Sequence, residues 1–391
     1  MKADPMKSIL AVAALAAAVC ACSQNSTTSR SEAAPSGPIA SSTAEATLVR
    51  SDGSYPVVPL AKDEIVVKVI QSTTNSLSEF PTVEEGLDHN LGHMEDLARQ
   101  ACSTGSKPDF LLYHEFPLTG YSGGGRTEQL NYTVQIPGPE TARLGEIAKA
   151  CDTYLIFGAY ATDPDWPGHI LSLNTVIDRN GDIAKVFWKS RNIKRIYPDR
   201  EITTTTIEAV RDKYRAKYGV EEEFPVLQTE YGNIAVSTVQ ADPFIFAAFA
   251  MRGTEIMVRT ATLFSQDDVT AMARINNFYS TMTNIAFPEA SGYRAGESII
   301  VGPKGEILAK DPSVDQDGII EATIPIAAFR ANRKLPNYAY EMTKPVLDQY
   351  VQEFPLNHLD MPREMLPETG QDMKSMMESI SRYNAASAQP D

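Results

Sequence analysis

The stretch Tyr231-Gly-Asn-Ile-Ala-Val-Ser-Thr-Val-Gln-Ala-Asp-Pro-Phe constrains the fold more than any other part of the chain. Residues 234–239 are rich in β-branched side chains and are bounded by Gly232-Asn233 and Asp242-Pro243, the pattern of a short buried strand. Residues 245–252 then predict a helix closed by Gly253, and Glu255-Ile-Met-Val opens the next strand. A strand that turns sharply into a helix displays a residue at the rim of a sheet, where hydrolytic folds place nucleophiles. Here the rim offers Ser237, Thr238 and Gln240, and no cysteine.

Around that stretch, 391 residues allow one large or two ordinary domains, with ample length for a core. The net charge of −15 excludes nucleic acid as the expected partner, because phosphates need a basic face. Two β/α halves are visible, without a repeat of fixed period.

Lys2 and Lys7 precede an apolar run over residues 9–19, too short to span a bilayer as a stable helix. The run ends Val19-Cys-Ala-Cys22, which resembles the bacterial lipobox. The resemblance implies a signal peptide over residues 1–22, an exported protein and a lipid anchor to the membrane on Cys22, since acylation at Cys20 would put bulky Val19 at the cleavage position. Ser23 in the following position implies an outer-membrane, periplasm-facing destination. An ordinary signal peptide with incidental cysteines is the alternative. Residues 23–63, rich in Ser, Thr, Ala and Pro, are expected to form a flexible tether. Cys102 and Cys151 have no metal-ligand partner at short spacing, so no metal site is expected. Each follows a helix and precedes a strand in consecutive β/α units, which would bring like helix ends together, and an export route makes a disulfide between them chemically possible.

Strands are expected at residues 64–70, 109–113 and 154–160, with a helix after the capping box Thr82-Val-Glu-Glu85 and another opening at Pro139. Asp178-Arg-Asn-Gly181 predicts a hairpin between residues 173–177 and 183–187. Residues 201–223 look like an inserted loop and polar helix, and strands follow at 279–285, 298–301, 307–309 and 319–324. From Ala328 the chain becomes polar with aromatic anchors and then forms a Met-rich helix, with residues 351–391 as a C-terminal arm. Glu115 and Lys189 each stand where an apolar run stops, and the central elbow supplies a third strand end. A carboxylate, an ammonium and a nucleophile converging at strand ends form a plausible layout for acyl transfer.

Leu111-Leu-Tyr-His-Glu-Phe-Pro-Leu-Thr-Gly-Tyr121 resembles the first motif of the nitrilase superfamily of carbon–nitrogen hydrolases. Asn174-Thr-Val-Ile-Asp-Arg-Asn-Gly-Asp-Ile-Ala-Lys-Val-Phe-Trp-Lys189 is similar to the second, and Ala250-Met-Arg-Gly-Thr-Glu-Ile-Met-Val258 and Gly296-Glu-Ser-Ile-Ile-Val-Gly-Pro-Lys-Gly305 continue the match in family order. Ile136-Pro-Gly-Pro-Glu-Thr141 looks most like the aliphatic amidase and formamidase branch. The resemblance implies a nitrilase-like α-β-β-α sandwich as a single large domain over residues 64–350. It also implies a Glu–Lys–Cys triad, no metal or other cofactor, and association into homo-oligomers, with the C-terminal arm against a neighbouring subunit. Glu115 takes the place of the general base and Lys189 that of the oxyanion stabiliser. Glu201 is the nearest candidate for the second glutamate that family members often carry. His114, where the motif usually has proline, is expected at the rim.

The nucleophile departs from the family. Counting forward from Gly232, the family's cysteine falls on Val239; counting back from Pro243 and Gly253, on Ser237; matching the downstream aspartate to Asp242, on Gln240. None is cysteine. A serine hydroxyl is negligibly ionised at neutral pH, and losing a nucleophile costs on the order of 10⁶-fold in rate. The expectation is a pocket that binds a small amide or carbonyl ligand without turnover. The alternative is an active amidohydrolase using Ser237.

Overall fold

Thr82 accepts a hydrogen bond from the Glu85 backbone N–H (3.2 Å) at the start of the longest helix of the first half, where the capping sequence predicts it. The computed structural model describes residues 49–387 except 51, 194–197, 288–290 and 336. The expected signal peptide, the Cys22 lipidation site and residues 23–48 of the expected tether lie outside the described residues. Among the described residues, no helix is long and apolar enough to cross a membrane.

The first half contains β1 (Ile65–Gln71), α1 (Val83–Ser103), β2 (Phe110–Leu112), α2 (Arg126–Gln129), α3 (Pro139–Cys151), β3 (Tyr154–Ala161), β4 (Leu171–Ile177) and β5 (Ile183–Trp188). After an insert of short 3-10 turns and α4 (Arg211–Tyr218), the second half runs β6 (Leu227–Thr229), β7 (Gly232–Val236), α5 (Pro243–Met251), β8 (Ile256–Ala261), α6 (Gln266–Asn276), β9 (Tyr279–Asn284), β10 (Ile299–Val301), β11 (Ile307–Lys310) and β12 (Gly318–Ile324). Then come α7 (Ile326–Asn332), α8 (Tyr340–Gln349) and α9 (Gly370–Ser387).

Two six-stranded mixed sheets result, in the orders β12-β1-β2-β3-β4-β5 and β11-β10-β9-β8-β7-β6. β1, β2 and β3 run parallel, as do β7, β8 and β9, and the outer pairs are antiparallel. Strand alternation sorts the side chains into layers. Val67, Val69, Ile156 and Val176 of the first sheet meet Ile234, Val236, Ile256 and Val258 of the second in one buried cluster. Leu111 and Leu155 turn the other way, onto α1 and α3, while Ala235 and Met257 turn onto α5 and α6. The architecture is the expected α-β-β-α sandwich. Cys102 and Cys151, at the ends of α1 and α3, are joined in a disulfide with Cα atoms 5.8 Å apart.

Two expectations are corrected. The strand expected over residues 234–239 ends at Val236, where the ladder to β8 stops. Residues 55–61, expected within the flexible tether, lie along the second sheet: Asn233 Nδ2 donates to Pro56 O (2.8 Å), Tyr55 Oη to Glu255 Oε1 (2.7 Å) and Ala61 N to Glu230 O (2.8 Å). The C-terminal arm packs on its own domain, where Leu359, Leu366, Met373 and Met377 join a buried cluster with Trp166, Trp188 and Tyr214. The apolar side of the Met-rich helix needs cover, and Trp166, Trp188 and the insert's Tyr214 supply it.

Candidate active site

Three residues past β2 stands Glu115, 3% exposed. Its backbone is fixed from both sides. Phe116 N–H donates to His114 Nδ1 (3.2 Å), so the His114 proton sits on Nε2, against Ser72 Oγ (2.9 Å). His114 is fully buried, not at the rim where its sequence position suggested. Burial pushes its pKa down to about 3, which keeps the ring neutral. On the other side β3 passes so closely that a Cβ built on Gly158 would lie 2.1 Å from Glu115 O.

Glu115, past the central strand β2, and Lys189, past the edge strand β5, meet in space. Lys189 Nζ donates to Glu115 Oε1 at 3.0 Å, and Ser172 Oγ of β4 reaches the same oxygen at 3.4 Å. Both ions are withdrawn from solvent, so each depends on the other for compensation. Two residues on, Arg191 Nη1 donates to Asp242 Oδ2 (2.7 Å), and Asp242 Oδ1 caps α5 by accepting from Ile245 N (3.3 Å). The segment carrying Lys189 is thereby tied to the elbow. The aspartate that suggested one register of the family motif is a helix cap.

The elbow runs from Ser237 to Asp242, with Ala241 at φ 50°. Ser237 N still bonds Val258 O (3.0 Å), continuing the β7–β8 ladder, and alternation sends its side chain to the helix side with Ala235. Its hydroxyl is fully buried and accepts from Val239 N (3.2 Å). Val239 packs in the same helix-side cluster, and its carbonyl accepts from the buried Arg259 (2.6 Å), itself paired with Asp268 (2.5 Å). Thr238 takes the opposite side.

Between the two strand-end groups opens a small cleft with about 60 Å³ for the centres of water-sized molecules, enough for a few waters or one small polar molecule. Glu115 and Lys189 form its charged floor; Thr238, Val239 and Gln240 line the elbow side, with Thr262 beyond β8. Phe116 and Tyr160, stacked at 4.0 Å, form an aromatic wall. Burial, and then the charge of Glu115, push the Tyr160 phenol well above its ordinary range. Arg200 closes another side, its guanidinium 4.9 Å from the centre of the Tyr121 ring.

Of the three residues expected to form the site, the structure brings Glu115 and Lys189 together and turns Ser237 away; of the alternatives, Val239 and Gln240 border the cleft. Glu201 is fully buried behind it, accepting from Asn192 Nδ2 (2.9 Å), a cleft residue. Cys102 and Cys151 are bonded to each other on the far side of the first sheet, so neither supplies a thiol. Among the described residues, no group of three or more His, Cys, Asp or Glu could hold a metal ion. Sequence reasoning missed Thr262, Asn192, Tyr160 and Arg259. Only the β-strand parity of Thr260 and Thr262 could have pointed to the first.

The model of the carbon-nitrogen hydrolase family matches residues 71–334. No curated protein matches the sequence. Among solved structures, the chain is similar to a double mutant of the amidase from Nesterenkonia sp. AN1 in complex with acrylamide, at TM-score 0.56 and 19% identity over 74% of this chain and 100% of that one. A mutant of the same amidase, showing covalent addition of the acetamide moiety of fluoroacetamide at the active site cysteine, matches at TM-score 0.54 and 19% identity over 74% and 99% of the two chains. At such identity the likeness speaks for the fold, and the family match carries the classification. The chain belongs to the carbon-nitrogen hydrolase family.

Proposed function

We propose that this protein binds a small amide or related carbonyl compound in the Glu115–Lys189 cleft and does not turn it over. One observation carries the reading: the buried ion pair faces an elbow of Thr238, Val239 and Gln240 with no thiol, while the Ser237 hydroxyl is turned to the helix side. Keeping two buried ions is costly unless they satisfy each other or a ligand. Lys189 supplies donors for a carbonyl oxygen, and Glu115 an acceptor for an amide N–H. The amidases of similar fold, described with acrylamide and with an acetamide adduct on a cysteine, favour small amides as the ligand class.

The test is ammonia release from short aliphatic amides, measured beside ligand-observed binding, for the wild type, Ser237→Ala and Ser237→Cys. Binding without ammonia in all three is the expected result. Ammonia from the wild type that disappears in Ser237→Ala would make the protein a serine amidase, the competing reading.

The same proposal places the domain at an envelope membrane through an acylated Cys22 and as a homo-oligomer. The lipobox-like Val19-Cys-Ala-Cys22 supports the anchor. Exposed Met342 and Val346 on α8 support self-association. Loss of membrane fractionation in Cys22→Ala tests the first, and the mass in solution tests the second.

A further inference from the structure

Two buried hydroxyls of the second sheet open on the cleft without any partner. Thr238 is 1% exposed, and neither its Oγ1 nor that of Thr262 has a hydrogen-bond partner among the described residues. Both residues line the cleft beside Glu115 and Lys189. Their direction follows from the strands that carry them. Val236 of β7 and Val258 of β8 face the space between the sheets, and Thr260 of β8 crosses that space to donate to Asn174 Oδ1 (2.7 Å). Two residues further on, Thr238 and Thr262 keep the same parity. Ser237 of the elbow accepts from Val239 N, and Thr205 of the insert meets His169 Nδ1 (2.9 Å); Thr206 of the insert is also buried without a partner among the described residues, but it does not line the cleft.

We propose that Thr238 and Thr262 are the ligand-recognising hydroxyls of this cleft, and that Thr238, rather than Ser237, is the elbow residue the ligand meets. The inference rests on the binding reading above and names the ligand class more closely: a neutral primary carboxamide. A protonated lysine can only donate and an ionised glutamate can only accept, so the pair contacts one edge of a planar group. A hydroxyl donates and accepts, so two of them on adjacent parallel strands can serve both the carbonyl and the NH₂ of the group's other edge. A carboxylate of the same shape has no N–H to donate to Glu115 and sets a like charge beside it, so the carboxamide is the better fit even with Arg200 on the far side of the cleft.

Valine keeps the shape of threonine and removes the hydroxyl. Thr238→Val and Thr262→Val are expected to leave the unfolding midpoint unchanged or raised, because no protein hydrogen bond is lost, while acetamide binding by ligand-observed NMR weakens about 5- to 10-fold in each. Acetate is expected to compete poorly. Independently, in the full chain with peptide-level mass spectrometry, the Thr238→Cys thiol is expected to react with iodoacetamide and to be protected by acetamide, whereas the Ser237→Cys thiol stays unreactive. Acetamide affinity within twofold of wild type in Thr238→Val, or labelling at 237 and not at 238, overturns the assignment. If the wild type binds no acetamide, the binding reading falls by itself, and the labelling still reports which elbow residue faces the cleft. Ammonia release lost in Thr238→Val would overturn the non-turnover reading and leave the hydroxyl assignment standing.

Discussion

His358 Nε2 stands 2.9 Å from Glu201 Oε2, and both side chains are fully buried. His358 comes from the C-terminal arm and Glu201 from the insert after β5, 157 residues apart. The other ring nitrogen, Nδ1, lies 3.1 Å from Pro355 O, which can only accept. Glu201 Oε1 in turn holds Asn192, whose amide also donates to Thr204 O (3.0 Å) and which lines the cleft. A chain of buried polar contacts therefore runs from the arm to the cleft.

Removing His358 leaves Glu201 buried without its arm partner. His358→Ala is expected to cost about 3 kcal/mol, the scale of breaking a buried pair, with release of residues 351–387. Urea unfolding gives the energy, and limited proteolysis of the arm gives the release. His358→Ala in a Glu201→Gln background is expected to cost much less, since the carboxylate that faces the imidazole is gone.

The disulfide closes a separation of 49 residues. On the chain-entropy account a loop of that length restricts the unfolded state by about 4 kcal/mol, and measured values commonly run from about 2 to 4 kcal/mol. Cys102→Ala with Cys151→Ala is expected to lower stability within that range. The cleft is expected to survive, because the bond lies behind α1 and α3 on the outer face of the first sheet. Unfolding curves of oxidised, reduced and substituted protein decide it.

Much of this was legible in the residues. β1, β3, β4 and β5 show long apolar or alternating runs between strong breakers, and the family words fix their order. Glu115 and Lys189 stand out because each ends such a run. β6 was not legible, since three residues carry no period. The elbow misled for a physical reason: Ser237-Thr-Val239 has strand composition, but the Asp242 cap and the Arg259 contact to Val239 O pull the chain out of the ladder. Where the strand stops decides which side chain faces the cleft, and composition does not show that. The Met-rich arm reveals an apolar face, yet nothing in it says that Trp166, Trp188 and Tyr214 cover it.

Acid should destabilise the fold through two buried histidines. Burial holds His114 at about 3 and His169 at about 4, below the ordinary 6.5. A depressed folded pKa means that the unfolded chain takes up the proton first. The associated stability is intact above about 6.5 and is lost as pH falls, at about 1.4 kcal/mol per pH unit for each histidine. The loss levels off near pH 4 for His169 and near 3 for His114. Denaturant unfolding between pH 7 and 4 is expected to show this slope, reduced by one proton in His114→Gln and likewise in His169→Gln. An unchanged slope in both variants would remove the histidines from the explanation.

Gly158 offers the sharpest test of how Glu115 is held. Its N–H donates to His114 O (3.1 Å), and a Cβ there would lie 2.1 Å from Glu115 O and 2.7 Å from its carbonyl carbon, all backbone that cannot swing aside. Gly158→Ala must therefore part β3 from the Glu115 turn, at a cost of about 1–3 kcal/mol or more, and displace the carboxylate from Lys189. Stability and acetamide binding are expected to fall together. Gly92, within α1, supplies the control, since a Cβ there meets nothing within 4 Å. Gly92→Ala is the same chemical change and is expected to stabilise by about 0.5–1 kcal/mol through helix propensity, without touching the site. Opposite signs from one methyl group, read by urea unfolding and an acetamide titration on both variants, separate close backbone approach at Glu115 from any general effect of replacing glycine. Equal signs would show that Glu115 is positioned by something other than the contact with β3.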